Sequence, residues 1–267
     1  MKMLLPLFLL ISTHVLASQT DTILVHSAAM NKDIKCVVIQ PDEHPGARWS
    51  CIYLLHGYGG NYAQWPSLAP QLKKDADSLH ILFICPDGGY DSWYFDSPIN
   101  PAIRYETFVT RELIAYIDTH YPTLAERSHR AITGLSMGGH GALYLAMHHK
   151  DLFGAAGATS GGVDFRPFPN NWGIKKDLGD YSGNEAVWDA HTVIAAADNL
   201  KNGDLRLIFD IGVNDFFLTV NRALHQKLLE KKIDHDYTER PGGHSSAYWH
   251  NSIDYQVLFF SKYFAGN

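Results

Sequence analysis

Three residue types that together perform acyl transfer stand at telling places in this chain. A serine lies inside Gly134-Leu135-Ser136-Met137-Gly138, a histidine is at position 244 in "ERPGGHSSAYW", and two aspartates, Asp210 and Asp215, lie in "LIFDIGVNDFF". A serine hydroxyl is a weak nucleophile at neutral pH unless an imidazole takes its proton, and the imidazole acts best when a carboxylate orients it. An apolar run, "HRAITGLS", ends at Ser136, and a small-residue helical segment, "GGHGALYLAMHH", begins at once. Gly-x-Ser-x-Gly between a strand and a helix is the nucleophile elbow: the glycines permit a turn too tight for side chains and leave the hydroxyl exposed. The helix that follows points its N-terminal amides and partial positive charge at the reacting centre.

A pentapeptide alone is a weak signal, so the surrounding elements decide. "DTILVHSAAM" and "DIKCVVIQP" read as two strands around a turn at Asn31. "CIYLLHG" and "ILFICPDGG" are continuous apolar runs ending at glycine, as expected of strands buried on both faces. Between them residues 61–79 read as a helical crossover. In "RYETFVTRELIAYIDTHY" Phe108, Leu113, Ile114 and Ile117 fall on one side of an amphipathic helix, which Pro122 stops. After the serine come a small-residue strand ("FGAAGATSG"), a strand ("DLRLIFDIG"), a helix ("DFFLTVNRALHQKLLEKK"), a strand ("DHDYTERPGG") and a closing helix ("SAYWHNSIDYQVLFFSKYF"). Alternating strands and helices predict an α/β chain with a mostly parallel, doubly wound sheet and helices on both faces. No composition break marks a second domain. Residues 163–200, rich in Asp, Asn, Gly and Trp, read as an excursion over the sheet with one or two short helices.

In such a sheet, chemistry lies beyond the carboxyl ends of the strands. Asp210 falls inside its strand and Asp215 in the loop after it, which favours Asp215 as the partner of His244; Asp215 would equally suit the start of the next helix. The nucleophile, acid and base then follow in the order Ser, Asp, His. At the end of an early strand, His56-Gly57-Tyr58 in "YLLHGYGGN" offers backbone N–H groups that, with the N–H of Met137, would hold a tetrahedral oxyanion, a contribution of about 3 kcal/mol per donor. In "GGYDSWYFDSP", Trp93 and Tyr94 are candidates to line an acyl pocket or, equally, to pack a loop against the sheet. Trp172 and Trp188 mark the excursion as a candidate lid or sugar platform.

The 267 residues are 46% hydrophobic and 19% charged, which is ordinary for a globular chain, and a net charge of −6 argues against nucleic acid as a partner. "MKMLLPLFLLISTHVLA" has an early Lys, an apolar core and small residues near Ala17; it reads as a secretory signal cut between Ala17 and Ser18, too short to anchor in a bilayer. The expectation is an exported protein without a membrane anchor, residues 18–267 forming one domain. Cys36, Cys51 and Cys85 each sit in an apolar strand-like run and read as buried small hydrophobes; an odd count leaves at least one thiol free. No metal motif is present, adjacent His148 and His149 point in different directions on a helix, and no Gly-x-Gly-x-x-Gly follows a strand, so no metal or cofactor is expected.

With these residues in view, "LLHGYGGN", "GLSMGGHGAL", "DIGVNDFF" and "YTERPGGHSSAYW", in this order, resemble the esterase D family of α/β-hydrolases. That group includes carbohydrate esterases of family 1 (feruloyl and acetylxylan esterases), S-formylglutathione hydrolases, tributyrin-type esterases and mycolyltransferases. The resemblance spans nearly all of residues 18–267. It implies the α/β-hydrolase fold and a serine carboxylesterase with Ser136, Asp215 and His244 as its triad, Tyr58 and Met137 as oxyanion donors, and no metal. An exported member suggests enzymes that trim feruloyl or acetyl groups from carbohydrate, the substrate being a small-molecule or oligosaccharide ester. Two other readings use the same scaffold: an acyltransferase to a sugar hydroxyl, and a catalytically silent carbohydrate-binding protein.

Overall fold

A computed structural model describes residues 18–42 and 46–266. The predicted leader, residues 1–17, lies outside the described residues. Among the described residues eight strands form one sheet: β1 (Gln19–Ser27), β2 (Lys32–Gln40), β3 (Ser50–Leu55), β4 (Ile81–Pro86), β5 (Arg130–Gly134), β6 (Ala155–Thr159), β7 (Arg206–Gly212) and β8 (Asp236–Arg240), in the order β1-β2-β4-β3-β5-β6-β7-β8. β2 pairs antiparallel with both neighbours and the remaining pairings are parallel, so β2 alone runs against the rest. β1 and β2 form the expected hairpin around Asn31, whose φ is +48°. β3, β4, β5 and β6 are buried along their whole lengths, the reason their sequences read as unbroken apolar runs.

Helices cover both faces. α1 (Gln64–Leu68) and α2 (Leu72–Leu79) form the crossover between β3 and β4. They are two helices rather than one, because Pro70 lacks an N–H and drives Ala69 out of helical geometry, to φ −128° and ψ 68°. The amphipathic segment before β5 is also subdivided: α3 (Tyr105–Thr107), a π-helical stretch (Phe108–Leu113) and α4 (Ile114–His120). Periodicity foretold its buried side but not the wider turns. α5 (Met137–His148) follows β5. The segment between β6 and β7 carries α6 (Lys175–Leu178), α7 (Glu185–Ala190), α8 (Val193–Ala196) and a 3-10 turn (Ala197–Asn199), more helices than the one or two expected. α9 (Leu218–Glu230) joins β7 to β8, and α10 (Ser246–Ala265) closes the described chain.

One core lies between the sheet and α1, α2 and α10, with Trp65, Leu72, Ile253, Val257 and Phe260 among its residues. The other lies beneath the 105–120 helix, α5 and α9, with Phe108, Ile117, Leu143 and Leu224. The chain runs from β3 to β4 on one side and then returns to place β5 on the other. Loops leaving β3 and β5 therefore part in opposite directions and open a crevice at their carboxyl ends. Ser136 stands in it. Cys36, Cys51 and Cys85 are buried and free, as the apolar runs around them suggested.

Candidate active site

Ser136 follows β5 and precedes the first residue of α5, with φ 54° and ψ −115°, a conformation side-chain-bearing residues rarely adopt. Neighbouring backbone holds it there: Ser136 N–H donates to Thr159 O at 3.0 Å, and its carbonyl accepts from Gly162 N–H at 3.2 Å and His140 N–H at 3.0 Å. The flanking glycines are sterically required. A Cβ on Gly134 would lie 2.4 Å from the backbone carbon of Gly138, and one on Gly138 would lie 2.2 Å from Leu55 O.

His244 sits just before Ser245, whose hydroxyl accepts from Tyr248 N–H and caps α10. Its Nε2 lies 2.9 Å from Ser136 Oγ and its Nδ1 2.9 Å from Asp215 Oδ2. An ionised carboxylate only accepts, so the ring proton belongs on Nδ1 and Nε2 is left to accept from the serine hydroxyl. The other carboxylate oxygen of Asp215 accepts from Phe217 N–H at 2.9 Å. Thus Asp215 holds the imidazole and shapes the turn before α9, but it does not cap that helix, whose N-cap is Phe217 with no side-chain cap bond. The loops carrying acid and base are tied together as well: Val213 N–H donates to Arg240 O and Asn214 N–H to Gly242 O.

Asp210, the alternative acid, points away from His244 into a buried polar cluster. It accepts from Thr159 Oγ1, Tyr248 OH, Ser252 Oγ and Gln256 Nε2 and pairs with Arg240 at 2.8 Å. This supports the sheet beneath the site, and no local pattern in the sequence announces it.

The loop after β3 is held by His56, which is fully buried. His56 Nε2 accepts from Gly88 N–H at 2.7 Å, so Nδ1–H donates to Gly57 O at 2.8 Å. Gly57 N–H donates to Gln64 Oε1, Gly59 N–H to Tyr90 O and Gly60 N–H to Gly57 O. Tyr58, between them, carries a half-exposed ring edge-on to Tyr90, centroids 4.9 Å apart. Met137 is the first residue of α5, so its N–H has no carbonyl one turn back in the helix.

Residues 27–260 match the model of the family described as "Putative esterase". The chain belongs to this esterase family. Its sheet and helices form the α/β-hydrolase fold. It is 28% identical over 236 residues to an esterase of Mycobacterium tuberculosis (strain CDC 1551 / Oshkosh), a match covering 78% of this chain and 51% of that protein. The chain thus spans about half the length of that mycobacterial relative. An acetyl esterase of Caldicellulosiruptor saccharolyticus is 25% identical over 260 residues, covering 89% of this chain and 96% of its own. Among solved structures, a ferulic acid esterase superposes with a TM-score of 0.80 at 26% identity, covering 93% of this chain and 99% of that one.

Trp93 and Tyr94, expected as pocket-lining candidates, are both buried in this esterase fold, at 1% and 0% exposure. Tyr94 OH donates to His56 O, and its ring lies where a side chain on Gly141 would have to go, 2.6 Å from a Cβ placed there. Trp93 packs edge-on to Phe165 and His140. Packing of this loop against α5 buries both, and an aromatic run in sequence does not distinguish such packing from a pocket wall. Trp188 is likewise buried, donating to Gly179 O, and is no platform. The exposed rings near the triad are instead Tyr58, Tyr90 and Phe216, with half-buried Trp172 beside Phe216 at 5.7 Å between centroids. His148 and His149 diverge as their adjacency required, the first bonding to Tyr144 O and the second to Glu106.

Proposed function

We propose that this chain is an exported serine carboxylesterase that removes feruloyl or acetyl groups from carbohydrate. The observation that carries the chemistry is the unbroken hydrogen-bonded series from Ser136 through His244 to Asp215. Nε2 takes the hydroxyl proton as Oγ attacks the ester carbonyl, and Asp215 stabilises the imidazolium that forms. Negative charge then develops on the former carbonyl oxygen. Tyr58 N–H and Met137 N–H are the donors assigned to it: Met137 opens α5, and the N–H groups of Gly57, Gly59 and Gly60 are taken up by Gln64 Oε1, Tyr90 O and Gly57 O. The imidazolium returns its proton to the departing alcohol, leaving an acyl ester on Ser136. Water, activated by the same base, then releases the acid.

The acyl and sugar assignments rest on the names of similar proteins and on exposed rings beside the triad, whose faces suit a sugar or a phenylpropenoyl group. Export rests on the leader-like sequence of residues 1–17. Residues 18–267 and the Ser136→Ala variant are to be compared on acetyl, butyryl and feruloyl esters, free and on xylo-oligosaccharide. Fast feruloyl or acetyl release that depends on the attached sugar is expected. Turnover of short acyl esters regardless of sugar would keep the triad and overturn the carbohydrate assignment.

A further inference from the structure

The hydrogen bonds at Nδ1 and Nε2 fix the His244 ring at two points but leave it free to tilt about the line between them. Three aromatic rings remove that freedom. The centroid of Phe216, the residue after the acid, lies 4.3 Å from that of the imidazole with the planes 37° apart. Phe217 lies at 5.6 Å and Trp249 at 5.0 Å, both edge-on. Phe216 is half-exposed, so the core covers only one side of it. Two rings support it: Phe217, edge-on with centroids 4.6 Å apart, and Trp172, near-parallel at 22° with centroids 5.7 Å apart. Trp172 comes from the segment between β6 and β7 and is in turn packed against Phe168 and Phe217, at 5.3 and 5.1 Å.

We propose that Phe216 is a positioning residue for the catalytic base and that Trp172 holds Phe216 in place, so that the segment between β6 and β7 sets the alignment of His244. The inference rests on the serine esterase reading. A ring face close to an imidazole attracts the imidazolium more than the neutral ring. The cation exists only while the serine proton is on the base, so the contact stabilises the transition state rather than bound substrate and registers in kcat rather than KM.

The test uses residues 18–267 and p-nitrophenyl acetate, whose two-carbon acyl group offers an aromatic wall little to bind. Phe216→Leu is expected to lower kcat about tenfold with KM unchanged within twofold, the size of an aromatic–cation contact expressed as a rate. Phe216→Tyr, which keeps the ring, restores kcat to within threefold. Trp172→Ala lowers kcat about threefold, and the double variant Trp172→Ala/Phe216→Leu is no slower than Phe216→Leu alone, because the two act in series. Wild-type kcat in Phe216→Leu, or a loss confined to KM, overturns the proposal. Multiplying effects in the double variant overturn the role of Trp172. If Phe216→Leu melts well below the wild type, kcat of Trp172→Ala decides, wild-type kcat there overturning the proposal. Ser136→Ala separates the two levels: if it retains turnover the esterase reading fails, whereas an inactive Ser136→Ala beside a fully active Phe216→Leu defeats the positioning role alone.

Discussion

His244 Nε2 lies 2.9 Å from Ser136 Oγ although 108 positions separate the two in the chain. The sheet closes that distance: Ser136 leaves β5 and His244 leaves β8, at the same end of parallel strands. Asp215, leaving β7, comes from a strand between them in sheet order.

The Asp215 carboxylate has two fixed partners, and that makes Asp215→Asn informative. Phe217 N–H needs an oxygen, so the amide NH2 is turned toward His244 Nδ1. Nδ1 must then accept, and the ring proton moves to Nε2, where it faces Ser136 and blocks proton uptake. We expect kcat to fall by about 10³ to 10⁴ with Tm nearly unchanged. Steady-state hydrolysis of p-nitrophenyl acetate checks this, and a loss under tenfold contradicts it.

Gly138→Ala tests the steric basis of the elbow. The new methyl would stand 2.2 Å from Leu55 O and 2.6 Å from His56 O, neither of which can withdraw without moving β3 and the loop after it. A destabilisation of about 3 kcal/mol is expected. Thermal melting should show a drop of roughly 6–12 °C, together with loss of turnover. A variant that melts with the wild type would contradict this.

How much of this was legible in the sequence depends on whether a feature is local. The elbow is local, since glycine spacing and the strand-to-helix change lie within a few residues of Ser136. The choice of Asp215 over Asp210 followed from strand ends, which apolar runs reveal. The cluster around Asp210 draws on β6, β8 and α10, and no window of sequence contains it. The roles of Trp93 and Tyr94 were undecidable for a similar reason: Tyr94 lies against Gly88 and Gly141 and Trp93 against Gly162, which approach only after folding. The π-helical turns over Phe108–Leu113 kept the apolar side that periodicity showed while changing the local pitch.

His140, within α5, is a residue whose importance sequence reading missed. Fully buried, its Nδ1 lies 3.0 Å from Trp93 O and its Nε2 2.8 Å from His191 O. Burial pushes its pKa down to about 4, against the two carbonyls, which favour the charged ring. The unfolded chain, with an ordinary histidine pKa of about 6.5, therefore binds the proton first as pH falls. Stability is fully present above about pH 6.5 and declines toward pH 4, by up to about 3 kcal/mol from this group. In His140→Gln, Tm measured from pH 7 to 4.5 should fall less steeply than in the wild type; equal slopes would contradict the assignment.

The three thiols make a separate prediction. Burial raises the pKa of Cys36, Cys51 and Cys85 well above the usual thiol range. The thiolate is the reactive form, so iodoacetamide at pH 8 should label none of them in the folded chain and all three in guanidinium chloride. Intact-mass analysis reads the number of adducts directly, and labelling in the folded state would contradict the burial.

The central claim is that Ser136 is the nucleophile. Intact-mass and peptide analysis of residues 18–267 treated with a fluorophosphonate, run beside Ser136→Ala and paired with ester turnover, tests it most directly. One adduct on Ser136, no adduct in the variant and loss of its turnover is the predicted result. An unmodified Ser136, or an Ser136→Ala variant that still hydrolyses ester at the wild-type rate, would contradict it.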